Sequence, residues 1–344
     1  MNPIFIVGTE RSGSNLLRLM LDAHPNISIP HPPHIMLEMA ALEPGYGDLS
    51  LDRNFRKLVN DAVRVVELHF APWDIEVDRE QVFKEAVDRN LYCVKRAIYE
   101  QYMRAKGKTR WGCKSTFMIH HTAVVRKYHQ TPKFIHLVRD GRDVAVSARD
   151  SVFNHFHPHY VSLLWREQQQ LAIGLSKELP ASQFITLRYE ELTADPGREL
   201  RRLCEFMEED YTDQMLNYAS RPDSSALAGI SKSWENLSKP VMTNNSKKYL
   251  TKLTADEIFA VERNIYQELL HFGYTLENQL EAIQQSAAAG LDAKRKLTYY
   301  LSEKGSMVST AVISMFSDKN AYMRLKKRIF MLSVAASLAS LPAK

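Results

Sequence analysis

Near its start the chain reads Gly8-Thr9-Glu10-Arg11-Ser12-Gly13-Ser14-Asn15. The two glycines keep the G-x-x-x-x-G spacing of a phosphate-binding loop, which continues with Lys and then Ser or Thr. Ser14 and Asn15 stand at those two places instead. A nucleoside triphosphatase needs the lysine for its β- and γ-phosphates and the hydroxyl for magnesium, so this loop is poorly equipped for that chemistry. Backbone N–H groups at a helix start still hold an anion. Ser12 and Ser14 add hydroxyl donors, and Arg11 adds a planar charged fork. The loop suits a terminal group of low charge held without a metal, and a sulfonate fits. Read alone, it is equally an ordinary glycine-containing strand-to-helix turn.

A second group follows the apolar run KFIHLV: Arg139-Asp140-Gly141-Arg142-Asp143-Val144-Ala145-Val146-Ser147. Arg139 emerges at the carboxyl end of a strand, where open parallel sheets bind ligands. Ser147 comes after the chain has turned into a helix. Together the two can hold a second phosphate, while Asp140, Arg142 and Asp143 read as ion-pairing braces of the loop.

The elements that must position these groups are legible in outline. Strands are expected at Pro3 to Val7, Lys133 to Val138 and Gln183 to Leu187, with a short one at RWGCKST running into a turn. Leu16, Leu17, Met20 and Leu21 recur at helical spacing, predicting a helix from Ser14 to Ala23 that Pro25 closes. IPHPPHIM reads as an ordered loop, residues 51–104 as helical, and RELRRLCEFM as an amphipathic helix. Strands alternating with helices predict an α/β fold, a central parallel sheet flanked by helices. The expected organisation is a P-loop-like nucleotide-binding core over residues 1–280, with a helical insertion at about 35–105 and a helical C-terminal extension over 281–344.

Composition narrows the class. A length of 344 residues suits one large domain, or one domain plus an extension. A net charge of +5 is too weak to argue for nucleic acid and is compatible with an anionic ligand or a membrane surface. Cys93, Cys113 and Cys204 form no CxxC pair, which argues for neither a disulfide framework nor a zinc site and suits a reducing, cytoplasmic setting. No secretory leader is legible, and no apolar run is long enough to span a bilayer. The tail KNAYMRLKKRIFMLSVAASLASL joins a basic patch to an apolar helix. It reads either as a packed terminal helix or as a peripheral contact with lipid or a partner.

The order GTERSGSNLL, then FIHLVRDGRDVAVSARDS, then RYEELTADPGRELRRLCEFM resembles the sulfotransferases that use 3′-phosphoadenosine 5′-phosphosulfate (PAPS). The resemblance runs from about residue 3 to residue 270 and leaves the tail uncovered. It implies PAPS as co-substrate, no metal, and a hydroxyl-bearing acceptor: a carbohydrate, a lipid or a small alcohol. It implies that Arg11, Ser12, Gly13, Ser14 and Asn15 grip the 5′-phosphosulfate. Arg139 and Ser147 would bind the 3′-phosphate, with Tyr189 near the nucleotide or packed in the core. SKSWENLSKPV resembles the segment that closes over the nucleotide, which points to Lys239 and Ser231. Trp234 there either covers the adenine or packs in the core.

Lys114 resembles the family lysine that lies near the bridging oxygen between phosphate and sulfonate, although Ser115-Thr116 replace the family's usual Thr-Pro. The run RSG..L.R.MLDAHP is shared with protein-tyrosine sulfotransferases, which carry a glutamate base soon after it. Here no carboxylate precedes Glu38, and His31 and His34 stand at about the right offset. The base is therefore expected to be His31 or His34, with Glu38 as the other choice, and a tyrosine-peptide substrate is put in doubt. His120 and His121 read as structural, and Asp22 and His24 as fixing the end of the first helix. Two rivals remain at this stage: a P-loop kinase or NTPase, and a nucleotide-binding interaction protein without catalysis.

Overall fold

The computed structural model describes residues 2–149, 155–230, 232–317 and 320–339. Strand β1 (Ile4–Gly8) is buried throughout. Its side chains alternate between two cores, Phe5 and Val7 in one and Ile4 and Ile6 in the other. That alternation is what a strand covered on both faces requires. Helix α1 (Ser14–Asp22) follows, then the two-residue strand β2 (Ile27–Ser28). The insertion comes next as α2 (Ile35–Met39), α3 (Asp52–Glu67), α4 (Arg79–Glu85) and α5 (Leu91–Ala105). The chain continues through β3 (Arg110–Cys113), α6 (Thr122–Tyr128), β4 (Lys133–Val138), α7 (Gly141–Arg149), α8 (Pro158–Glu178) and β5 (Phe184–Arg188). Helices α9 (Tyr189–Ala194), α10 (Pro196–Met207), α11 (Pro222–Ala228), α12 (Tyr249–Lys252) and α13 (Ala255–His271) complete the core.

The sheet is parallel, with strand order β2-β3-β1-β4-β5. The chain builds one side of β1 first and then crosses to β4 on the other side. The ends of β1 and β4 therefore flank the point where the winding reverses, the usual ligand crevice of such sheets. Gly8 is in register with Leu137, so the two strands finish nearly level and their loops leave side by side. Gly8 lies at φ 142°, and a Cβ there would come within 2.3 Å of the Leu137 carbonyl oxygen. Only glycine permits that approach.

Several expectations shift. β1 and β5 begin and end one residue later than the sequence suggested, and β2 was not expected at all. A two-residue edge strand carries no periodic signal. The insertion is helical as expected, but residues 68–78 form a loop between α3 and α4. The tail forms α14 (Leu280–Ala289), α15 (Ala293–Ser317) and α16 (Ala321–Ala339). Helix α16 folds back onto the insertion. Its Val334 and Leu338 are buried in the same core as Phe55, Val59 and Val63 of α3, and Leu338 packs against Gly45. Among the described residues no helix is long and apolar enough to cross a membrane.

Candidate active site

Helix α1 opens without a side-chain cap. Its N-cap, Gly13, sits at φ 88°, and the first turn carries no acid. The leading N–H groups of a helix have no partner within it, and the helix dipole makes that end positive. Gly13 also permits a close approach: a Cβ there would lie 2.4 Å from the Tyr189 ring. Arg11 adopts the left-handed φ of 71°, an unusual conformation for a side chain that must be aimed. The loop is braced from behind. Gln169 Nε2 on α8 donates to Thr9 Oγ1 at 2.9 Å, and Gln169 Oε1 lies 2.8 Å from His136 Nε2 on β4.

The two sequence motifs meet. Arg11 Nε donates to Ser147 Oγ at 3.2 Å. Arg139 Nη1 donates to the Arg11 carbonyl at 3.1 Å and Nη2 to the Asn245 carbonyl at 2.8 Å. The Arg139 guanidinium lies 4.6 Å from the centre of the Tyr189 ring, whose hydroxyl accepts from Asn245 Nδ2 at 2.6 Å. Arg11, Gly13, Ser14, Asn15, Arg139, Ser147 and Tyr189 all line one cavity. Beside it, Ser12 Oγ and Arg139 Nε are buried donors without a partner among the described residues. Buried donors are normally paired, so these two mark a place suited to an anion.

Behind this surface Arg142 pairs with Asp140, Nη2 to Oδ2 at 2.7 Å, and with Glu262 at 2.6 Å. Asp143 Oδ1 accepts from the Tyr249 amide at 3.1 Å. These are the braces that the sequence suggested. Asp22 Oδ1 accepts from the Ile29 amide at 2.8 Å, and His24 Nε2 is 2.8 Å from the Asp210 carbonyl, so both tie down the end of α1. Lys239 departs from expectation. It is exposed, with its ammonium on Asn236 Oδ1 at 3.1 Å, and does not line the cavity. Its neighbours Asn236, Leu237 and Pro240 do, because the turn directs the lysine outward. Ser231 lies outside the described residues.

A second cavity of about 580 Å³ adjoins the first and shares Arg11, Ser14, Asn15 and Trp234 with it. Trp234 stands at the divide, stacked on Phe70 with ring centres 5.8 Å apart. Lys114 enters directly after β3 and is only 7% exposed. Burial pushes its ammonium down to about 8, partly opposed by the nearby carboxylate of Glu10. His34 Nδ1 lies 3.2 Å from Ser115 Oγ, and His31 Nδ1 lies 2.7 Å from His69 Nε2. Burial holds both imidazoles well below their ordinary range, reinforced by His69 and Lys114 at His31 and by Lys114 and Lys327 at His34. They are therefore neutral near pH 7, the form that accepts a proton. Glu38 is paired with Lys327 at 2.8 Å.

Sequence reasoning missed part of this wall. His69 and Phe70 sit in the loop after α3, where only the break in helical spacing before Pro72 gave a signal. Asn245, on the first cavity, was missed as well and lies in the loop before α12. Arg324, Arg328, Met331 and Leu332 come from α16, far away in the chain. His120 is exposed and His121 half-buried. Among the described residues no group of three or more His, Cys, Asp or Glu is placed to hold a metal ion. The three cysteines are buried and unpaired.

Comparison with known proteins bears on the family and the fold. The family model of the sulfotransferase family matches residues 3–213. Protein-tyrosine sulfotransferase 2 of Gallus gallus is 21% identical over 262 residues, which is 74% of this chain and 64% of that protein's length. The sulfotransferase domain from the Synechococcus PCC 7002 olefin synthase superposes with a TM-score of 0.57 at 22% identity, covering 80% of this chain and 96% of that one. The sulfotransferase domain from the curacin biosynthetic pathway gives 0.54 at 19% identity, covering 80% and 98%. The family match runs from the first strand to beyond the fifth and takes in both strand-tip loops, and the chain belongs to the sulfotransferase family.

Proposed function

We propose that the protein transfers the sulfonate of PAPS to a hydroxyl acceptor and releases 3′,5′-ADP. The observation that carries this is the contact of Arg11 with Ser147, which joins two distant motifs at one cavity. PAPS presents a phosphosulfate and a separate 3′-phosphate on one adenosine. The loop through residues 9–15 suits the first, and Arg139 with Ser147 suits the second. The unpartnered donors of Ser12 and Arg139 fit such anions.

When bound, PAPS supplies the sulfonate; this chain's residues do the rest. Arg11 and the first-turn amides of α1 hold negative oxygens in place. Lys114 puts a positive charge where the departing phosphate gains negative charge, an arrangement that stabilises a transition state in a water-poor site. The acceptor enters the second cavity, which reaches Arg11, Ser14 and Lys114. His34 takes the acceptor's proton. With Nδ1–H donating to Ser115 Oγ, Nε2 is left as the basic nitrogen. A second reading makes His31 the base, because its Nε2 is buried with no partner among the described residues.

The test is transfer of label from sulfur-labelled PAPS into an acceptor from a cell extract, with and without magnesium and ATP. Label should move without either. Magnesium-dependent ATP turnover with no label transfer contradicts the proposal. Positioned bases contribute roughly 10²–10⁴-fold, so His34→Gln should lower kcat by about that much while His31→Gln lowers it less. The reverse order assigns the base to His31.

A further inference from the structure

Helix α16 is apolar on two opposite sides. Val334 and Leu338 point into the core beside α3, and Met331 lines the second cavity. On the other side Tyr322, Leu325, Ile329 and Leu332 are each more than half exposed. At roughly 100° per residue these four fall within an arc of about 80°. A helix that is apolar all round is normally covered all round, yet this outer stripe is left to solvent. Lys326 and Arg328 border it, one on each side, and both are exposed. Arg324 and Lys327 turn inward instead, the first to the Phe70 ring and the second to Glu38 and the Pro33 carbonyl. Helix α15 repeats the pattern. Its Leu297, Leu301 and Val308 share one side and are more than half exposed, with exposed Lys304 beside them. Charge is concentrated in the same segment. Residues 293–344 hold ten Lys and Arg against two Asp and Glu, on a chain whose net charge is only +5. One of those two acids, Glu303, is buried and accepts from the Phe156 and His157 amides.

We propose that α16 docks flat on an anionic lipid surface. Tyr322, Leu325, Ile329 and Leu332 enter the boundary between headgroups and acyl chains, where an amphipathic helix lies in the plane of the bilayer. Lys326 and Arg328 lay their stems along the apolar stripe and reach the headgroup phosphates with their charged ends. Charge complementarity selects this occupant. No Asp or Glu occurs in residues 319–344, so a second copy packed on the same stripe would set one basic face against another. An anionic bilayer answers the apolar stripe and its basic borders together. Leu332 and Arg328 also line the second cavity, so the bilayer meets the protein beside that cavity.

Sedimentation of the full chain with lipid vesicles tests this. Phosphatidylcholine vesicles containing about 30% phosphatidylglycerol should bind the protein at least about tenfold more tightly than phosphatidylcholine alone. Raising the salt from about 0.1 M to about 0.5 M should remove most of that difference. Leu325→Ser combined with Ile329→Ser, at exposed positions that line neither cavity, should weaken binding by about tenfold or more. Lys326→Gln should weaken it by about fivefold. Thermal melts of these variants should match the wild type, because exposed substitutions leave the core intact. No binding to the anionic vesicles overturns the proposal, as does binding that the double variant leaves unchanged. Equal binding to neutral and anionic vesicles overturns it too. Self-association that the double variant abolishes, without vesicle binding, assigns the stripe to a second copy and overturns the lipid assignment.

Discussion

Lys114 carries a charge that its own burial opposes, and burial has brought its titration down to about 8. The ammonium is present below that pH and lost above it. The pH profile of kcat/KM reports the free enzyme, so it should fall as pH rises through about 8. A bound anionic donor favours the charged form, so the fall in kcat should come at higher pH. His31 and His34 move the other limb. Their imidazoles are depressed, hence neutral and basic through the ordinary histidine range, and activity should not drop on acidification until well below it. Lys114→Ala should lower kcat by roughly 10²–10³ and remove the alkaline limb. An alkaline limb unchanged in that variant would take Lys114 out of the chemistry.

At the scale of elements, the site exists because β1 and β4 end level and each releases a loop that needs little room. Gly13 is a tight point inside the loop, since any side chain there meets the Tyr189 ring, which packs against Arg139. Gly13→Ala should therefore displace Tyr189 and weaken 3′,5′-ADP binding by about tenfold or more, with a left-handed strain of order 1 kcal/mol. Unaltered affinity by calorimetry would mean the ring and loop are not coupled. Much of this arrangement was legible in the chain. Branched residues ending at Gly8 announced β1, KFIHLV announced β4, and the two motifs announced loops at strand ends, which meet at one cavity. What stayed hidden depends on contacts between distant segments. Gln169 bracing Thr9, His69 beside His31 and Asn245 under Arg139 have no local pattern, because helix and loop periodicity do not say which far-off residue a side chain will touch. Lys239 shows the converse: its segment was placed correctly, but the direction of one side chain in a turn was not.

The whole molecule is a sheet whose two faces are covered by helices, with the tail drawn back over the insertion. Residues from α1, the loop after α3, the turn after β3 and α16 converge only in the folded chain, and that convergence makes two cavities that meet at Arg11, Ser14 and Trp234, to which the proposed function gives the donor and the acceptor. The claim on which the account rests is that loops from two strand tips hold the two anionic ends of one nucleotide. It is tested most directly by the ratio of affinities for 3′,5′-ADP and 5′-AMP, measured by calorimetry in the wild type and in Arg139→Ala. Charge-assisted hydrogen bonds contribute roughly 1.5–3 kcal/mol each, so the wild type should prefer 3′,5′-ADP by about 10- to 100-fold and Arg139→Ala should lose most of that preference. Equal binding of the two nucleotides by the wild type, or a preference that survives in Arg139→Ala, would contradict it.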